Sequence, residues 1–225
     1  MRIFKFGGAS IKDADGIKNV YQVLQQVGFE DVLLVVSAMG KTTNALEIVV
    51  NDYFDKSAAL QSSVQEVKKY HNQILLDLFE DEKNEVFTAI NSLFSDLEYF
   101  LNHNKSPNYN FVYDQIVSFG ELISSTILSH FMNFSAIKTN WIDVRLFIKT
   151  NSNYRDADVN WELTQKNISK NIKKKVLNIT QGFLGSDENG FTTTLGREGS
   201  DYTAAIFAYC LNAQSVTIWK DVQVF

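Results

Sequence analysis

A single cysteine, Cys210, rules out an intrachain disulfide. It lies in the apolar run AIFAYCL, where a buried, inert thiol is expected rather than a nucleophile. Only three histidines are present, His71, His103 and His130. All fall in helix-patterned stretches away from the glycine loops described below. With no second His or Cys at ligand spacing, none is assigned to a metal. No window has the length of apolar sequence that a membrane span needs. Arg2 and Lys5 interrupt the first apolar stretch, so no secretory signal is visible and a cytoplasmic protein is expected. Positive charge is also scarce: the net charge of −5 argues against a nucleic-acid partner, which requires a basic surface.

The 225 residues include 45% apolar and 21% charged side chains, ordinary for a globular chain. A chain of this size buries roughly 70% of its extended surface and needs no covalent staples. Short apolar or β-branched runs alternate with longer segments of 3.6-residue period. Residues 2–6, 31–37, 141–144, 177–185, 190–195 and 215–219 read as strands. Residues 11–27, 44–104, 111–131, 159–175 and 201–212 read as helices. The lone proline, Pro107, follows the long helical block, where helices stop. SDENG (186–190) reads as a hairpin turn. The alternation predicts an α/β sandwich with a mostly parallel sheet. The chain stops just after a strand with no closing helix, so the fold is expected to be C-terminally incomplete.

Three times a strand runs through a glycine loop into a helix: KFGGAS (5–10), SAMGKTTN (37–44) and LGREGSD (195–201). Ser10, Asn44 and Ser200 are the expected N-caps. Such junctions present backbone N–H groups and the positive end of a helix dipole, suited to phosphate or carboxylate. In a parallel sheet they share one edge. Neither the P-loop nor G-x-G-x-x-G is present, so a different phosphate-binding fold is required. Lys5 shares a strand face with Ile3, opposite Phe4 and Phe6. It is either a solvated edge residue or a functional cation. Glu121 stands in an otherwise apolar helix, where burial without a partner is costly. Gly120 beside it suggests a close approach of backbone or ligand. Arg197 has the geometry for bidentate carboxylate recognition.

Together KFGGAS, VVSAMGKTTNAL, SFGELISSTIL (118–128), QGFLG, TTTLGREGSDYTAA and SVTIWKDV resemble the aspartate kinases of the amino-acid kinase superfamily, in order and spacing across essentially the whole chain. The resemblance implies a three-layer αβα sandwich with an open sheet of about eight strands. Residues 1–225 would then be the substrate-binding part and the start of the nucleotide-binding part of the catalytic domain, without the regulatory ACT domains. It implies transfer of the ATP γ-phosphoryl group, with Mg²⁺, to the β-carboxylate of L-aspartate. That would be the first step towards lysine, threonine and methionine. A homodimer is expected, with 44–104 as scaffold and dimer surface.

By the same resemblance Lys5 is the catalytic cation, and Asp201 orders Lys5 and the substrate. Gly7, Gly8 and Ser10 bind phosphate, while Ser37 and one threonine of the second loop, Thr43, line the aspartate site. Thr42 and Thr43 serve equally well as helix caps. Glu121 receives the α-ammonium of aspartate, and Arg197 and Ser200 bind aspartate. Lys220 and Asp221 begin the nucleotide pocket. Ala9, Glu198 and Lys220 depart from the family's threonine, glycine and threonine. Glutamate, carbamate and uridylate kinases share the fold and the opening loop, and a non-catalytic amino-acid- or nucleotide-binding domain is the other alternative. FGGAS, FGE and GREGSDYTA favour aspartate.

Overall fold

The computed structural model describes residues 1–220. Its strands are β1 (Arg2–Phe6), β2 (Val32–Val36), β3 (Thr139–Ile142), β4 (Leu177–Gln181), β5 (Leu184–Ser186), β6 (Thr192–Thr194) and β7 (Ser215–Trp219). Five of them make one all-parallel sheet in the order β3-β4-β2-β1-β7, and β5 and β6 pair as an antiparallel hairpin. β1 is central to the site: Lys5 stands opposite Val35 of β2 on one side and Ile218 of β7 on the other. The resemblance implied about eight strands; the described residues contribute five to the main sheet and two to the hairpin.

The helices are α1 (Ala14–Val27), α2 (Thr42–Phe54), α3 (Leu60–Leu78), α4 (Glu85–His103), α5 (Tyr109–Phe134), α6 (Trp161–Asn171) and α7 (Gly199–Leu211). Among the described residues none is long and apolar enough to cross a membrane. Alternation along β1 and β2 assigns the layers. Phe4, Phe6, Leu34 and Val36 join the core under α1 to α5. Ile3, Leu33 and Val35 face α6, α7 and the hairpin. Both faces of the sheet are covered, as its continuous apolar strands require.

Several boundaries move. The helical block 44–104 is three helices, broken at 55–59 and 79–84, although neither break holds proline or glycine. At the first break Lys56 adopts φ 51°. The strand expected at 141–144 ends at Ile142, because the Asp143 side chain accepts the Arg145 N–H at 3.1 Å and turns the chain. The single strand expected over 177–185 is two, because Phe183 takes φ 70°. SDENG closes the hairpin as anticipated, and Pro107 lies between α4 and α5. Cys210 is free and buried, and burial pushes its thiol pKa up.

Candidate active site

The parallel strands end at one rim, and the three glycine loops meet there. At the first, Lys5 is only 8% exposed. Its Nζ lies 2.7 Å from Asp201 Oδ1. The contact is an ion pair that does not align as a hydrogen bond. Added to Gly7, a Cβ would stand 3.5 Å from Lys5 Nζ, so the amine reaches the mouth of the first turn. The first and second loops are bonded to each other, Gly40 N–H to Gly8 O at 2.9 Å. Gly8 allows that approach: a Cβ there would meet Ala38 O at 2.5 Å and Gly40 O at 3.2 Å. Gly40 itself has φ 54°, the region that glycine enters without penalty.

Glu121, on α5, is 3% exposed. Its Oε1 accepts the Ala38 N–H at 3.2 Å, while Oε2 has no hydrogen-bond partner among the described residues. Burial pushes its carboxyl up to about 8, against the opposing pull of the Ala38 N–H. Gly120 brings α5 against the second loop: a Cβ there would lie 2.9 Å from Ala38 Cβ. A buried carboxylate with one free oxygen is costly unless a cation arrives to meet it.

The third loop is held by close contacts. Glu198, at the N-cap of α7, adopts φ 57°, and no side chain caps the helix. Gly182 leaves room for Ser200, whose Cβ would be 2.5 Å from any Cβ at 182. Thr203 of α7 donates back to Gly199 O and accepts the Phe183 N–H at 2.9 Å each, which fixes the bend after β4.

The expected caps differ. Asp13, not Ser10, caps α1 by accepting the Gly16 N–H at 2.8 Å. α2 begins at Thr42, so Asn44 lies inside it, and α7 begins before Ser200. Ser10 is buried in a 3-10 turn and its hydroxyl is 3.5 Å from Trp219 O. His71, expected far from the loops, is fully buried with Nε2 3.3 Å from Thr42 Oγ1. Thr42 also donates to Met39 O at 2.6 Å. Thr42 therefore belongs to the scaffold, and Thr43 faces the rim.

One cavity of about 530 Å³ opens at this rim. That is a typical volume for a small-molecule site. It collects Lys5, Gly8, Ser37 and Thr43 from the first two loops, Glu121 from α5, and Arg197, Ser200, Asp201 and Lys220 from the last part of the described chain. Gly7 and Ser10 are not among its lining residues, and Asp221 lies outside the described residues. Tyr113, Arg155 and Phe183 also line it and escaped sequence reasoning. Phe183 looks like a strand residue in sequence, and only its left-handed backbone marks it. Arg155 sits in a polar loop with no glycine pattern. The cavity thus combines two exposed guanidinium groups, a nearly buried ammonium, glycine-lined backbone and a carboxylate with a free oxygen. Such a set can hold a zwitterion beside polyanionic phosphates.

The full length of the chain, residues 1–225, matches the model of the amino acid kinase family. It is 31% identical over 233 residues to lysine-sensitive aspartokinase 3 of Escherichia coli K12, covering 98% of this chain and 49% of that protein. It is 29% identical over 232 residues to the chloroplastic bifunctional aspartokinase/homoserine dehydrogenase 2 of Arabidopsis thaliana, covering 98% of this chain and 25% of that protein. The fold superposes on E. coli aspartokinase III in complex with lysine and aspartate with a TM-score of 0.86 at 28% identity, over 99% of this chain and 49% of the other. The same enzyme in complex with aspartate and ADP gives 0.85. This chain therefore spans between a quarter and a half of these relatives.

Proposed function

Because this chain belongs to the amino acid kinase family, we propose that it transfers the γ-phosphoryl group of ATP to the β-carboxylate of L-aspartate, giving 4-phospho-L-aspartate. The observation that carries this reading is the pairing of Glu121, with its free buried oxygen, and the Lys5–Asp201 ion pair within one cavity. Relatives bound to aspartate, and to aspartate with ADP, support the choice of substrates.

Glu121 takes the α-ammonium of aspartate, and Arg197, Ser200, Ser37 and Thr43 hold its carboxylates. Lys5, Gly7, Gly8, Ser10, Lys220 and Asp221 serve the phosphates and nucleotide. The β-carboxylate is ionised at neutral pH, so attack on the γ-phosphorus needs no general base. The work of the site is to hold two anions together in line. Lys5 places positive charge where negative charge moves from the γ-phosphoryl oxygens to the leaving ADP, and Asp201 fixes the lysine amine. Mg²⁺, carried on the ATP phosphates, supplies further charge neutralisation.

The product would feed lysine, threonine and methionine synthesis in the cytoplasm, and the protein would act as a homodimer through the 44–104 block. Light scattering of the purified protein tests the dimer. The activity is tested by hydroxamate trapping of the acyl phosphate with aspartate and glutamate side by side. Hydroxamate from aspartate supports the reading; hydroxamate from glutamate alone, or from neither, refutes it.

A further inference from the structure

Arg155 lies in the loop that precedes α6, and its backbone occupies the left-handed region at φ 74°. For a residue with a side chain this conformation costs about 1 kcal/mol. The surrounding structure must hold it there. Asp114, fully buried on α5, does so. Its Oδ2 accepts the N–H of Arg155 at 3.0 Å and that of Thr194 at 2.8 Å, and its Oδ1 accepts the Thr194 hydroxyl at 2.8 Å. Burial pushes the Asp114 carboxyl up to about 6, and its three donors pull the other way. A buried carboxylate is thus committed to the backbone of an exposed arginine.

The side chain is positioned as well. Its guanidinium carbon sits 4.3 Å above the Tyr113 ring and 5.8 Å from that of Tyr109. Tyr113 is tethered in turn by its hydroxyl to Glu47 Oε1 at 2.7 Å. Among the described residues no carboxylate forms an ion pair with Arg155. The arginine lines the same cavity as Arg197. The two loops are neighbours: a Cβ on Gly196 would stand 3.4 Å from Arg155 O. Glu198 brings a negative charge to this side of the cavity, which a second guanidinium offsets.

We propose that Arg155 is a second carboxylate-recognition residue of the site, binding the α-carboxylate of the amino-acid substrate beside Arg197. The proposal rests on the aspartate kinase reading. A dicarboxylic amino acid must leave one carboxylate free to attack phosphorus and have the other neutralised. A planar, always-charged guanidinium fixed over an aromatic ring does this with little reorganisation. The three charges of bound aspartate are then matched, the ammonium by Glu121, the α-carboxylate by Arg155 and Arg197, and the reacting carboxylate by the cationic rim at Lys5.

Arg155→Gly is the informative variant, because glycine adopts φ 74° freely and removes the guanidinium without straining the loop. L-aspartate, its α-amide L-isoasparagine and ADP are titrated calorimetrically into the intact protein and this variant, and steady-state constants are measured alongside. The expected result is a loss of aspartate affinity of about tenfold or more. ADP affinity and melting temperature stay unchanged, and KM for aspartate rises while kcat holds within about threefold. L-isoasparagine, which lacks the α-carboxylate, should bind both proteins alike. Equal aspartate affinity in both proteins overturns the proposal. An equal penalty with L-isoasparagine, or a loss confined to ADP, also overturns it, the latter by assigning the guanidinium to phosphate. Failure of the unaltered protein to bind aspartate sinks the functional reading and this inference with it.

Discussion

Lys5 Nζ and Asp201 Oδ1 stand 2.7 Å apart, although 196 positions separate them in the chain. The lysine is the penultimate residue of β1 and the aspartate sits in the first turn of α7. The pair joins the two halves of the cavity. On the proposed function, Lys5→Ala removes the fixed positive charge that faces the phosphoryl group in transfer. We expect kcat to fall by about 10²–10³ while KM for aspartate changes less than about threefold. Steady-state kinetics check this; equal losses in both constants would count against a role confined to the transition state. Asp201→Asn should lower kcat less, since the lysine charge stays.

Glu121 carries a pH signature. Its folded pKa of about 8 lies above the unfolded value near 4.5, so the protonated form is the one that folding favours. This group's contribution to stability is present below pH 4.5 and declines as pH rises through 8. Substrate binding asks the opposite, since an ammonium needs the ionised carboxylate. Aspartate binding at pH 7 should therefore release close to one proton. Calorimetry in buffers of different ionisation enthalpy measures it, and zero release would contradict the assignment. Glu121→Gln should lose aspartate affinity by about tenfold or more and be no less stable at pH 8.

His71 sets a slope of opposite sign at lower pH. Burial lowers its pKa to about 4 from 6.5. The unfolded chain takes up this proton first as pH falls, so stability from this group is full above 6.5 and lost towards pH 4. The expected loss is about 3 kcal/mol. Urea melts of the native protein and His71→Gln across pH 7 to 4 test this. The difference between the two curves should shrink as pH drops, and a constant difference would refute it.

Gly8→Ala probes the seam between the first two loops. The new methyl would meet Ala38 O at 2.5 Å, a backbone atom that cannot swing aside. We expect a stability loss of about 1–3 kcal/mol together with a fall in kcat, as the Gly40–Gly8 hydrogen bond opens. Thermal melting and turnover, measured together, check both; an unchanged melting point would show that the seam can yield.

Much of this was legible in the residues. β1 and β7 have their expected ends, the alternating run RIFKF stopping at Gly7 and SVTIW at Lys220. Lys5, Glu121 and Arg197 carried signals of their own, a charge near glycine or a carboxylate amid apolar neighbours, whereas the role of Asp201 was implied only by the resemblance. Arg155 and Phe183 did not, because their distinction is a left-handed backbone imposed by Asp114 and Thr203 from distant segments. The caps failed for a related reason. Ser10 fits a capping pattern, but the chain spends one extra 3-10 turn before α1 begins, and Asp13 inherits the task.

The all-parallel sheet has a practical corollary at its far side. Each strand enters from the rim opposite the cavity, through connections such as 28–31, 135–138 and 172–176. There Lys138, Lys173, Lys174 and Lys175 gather around a separate cleft. A unique attachment point engineered among those lysines would hold immobilised molecules with their cavities outward, a convenient geometry for single-molecule or biosensor measurements.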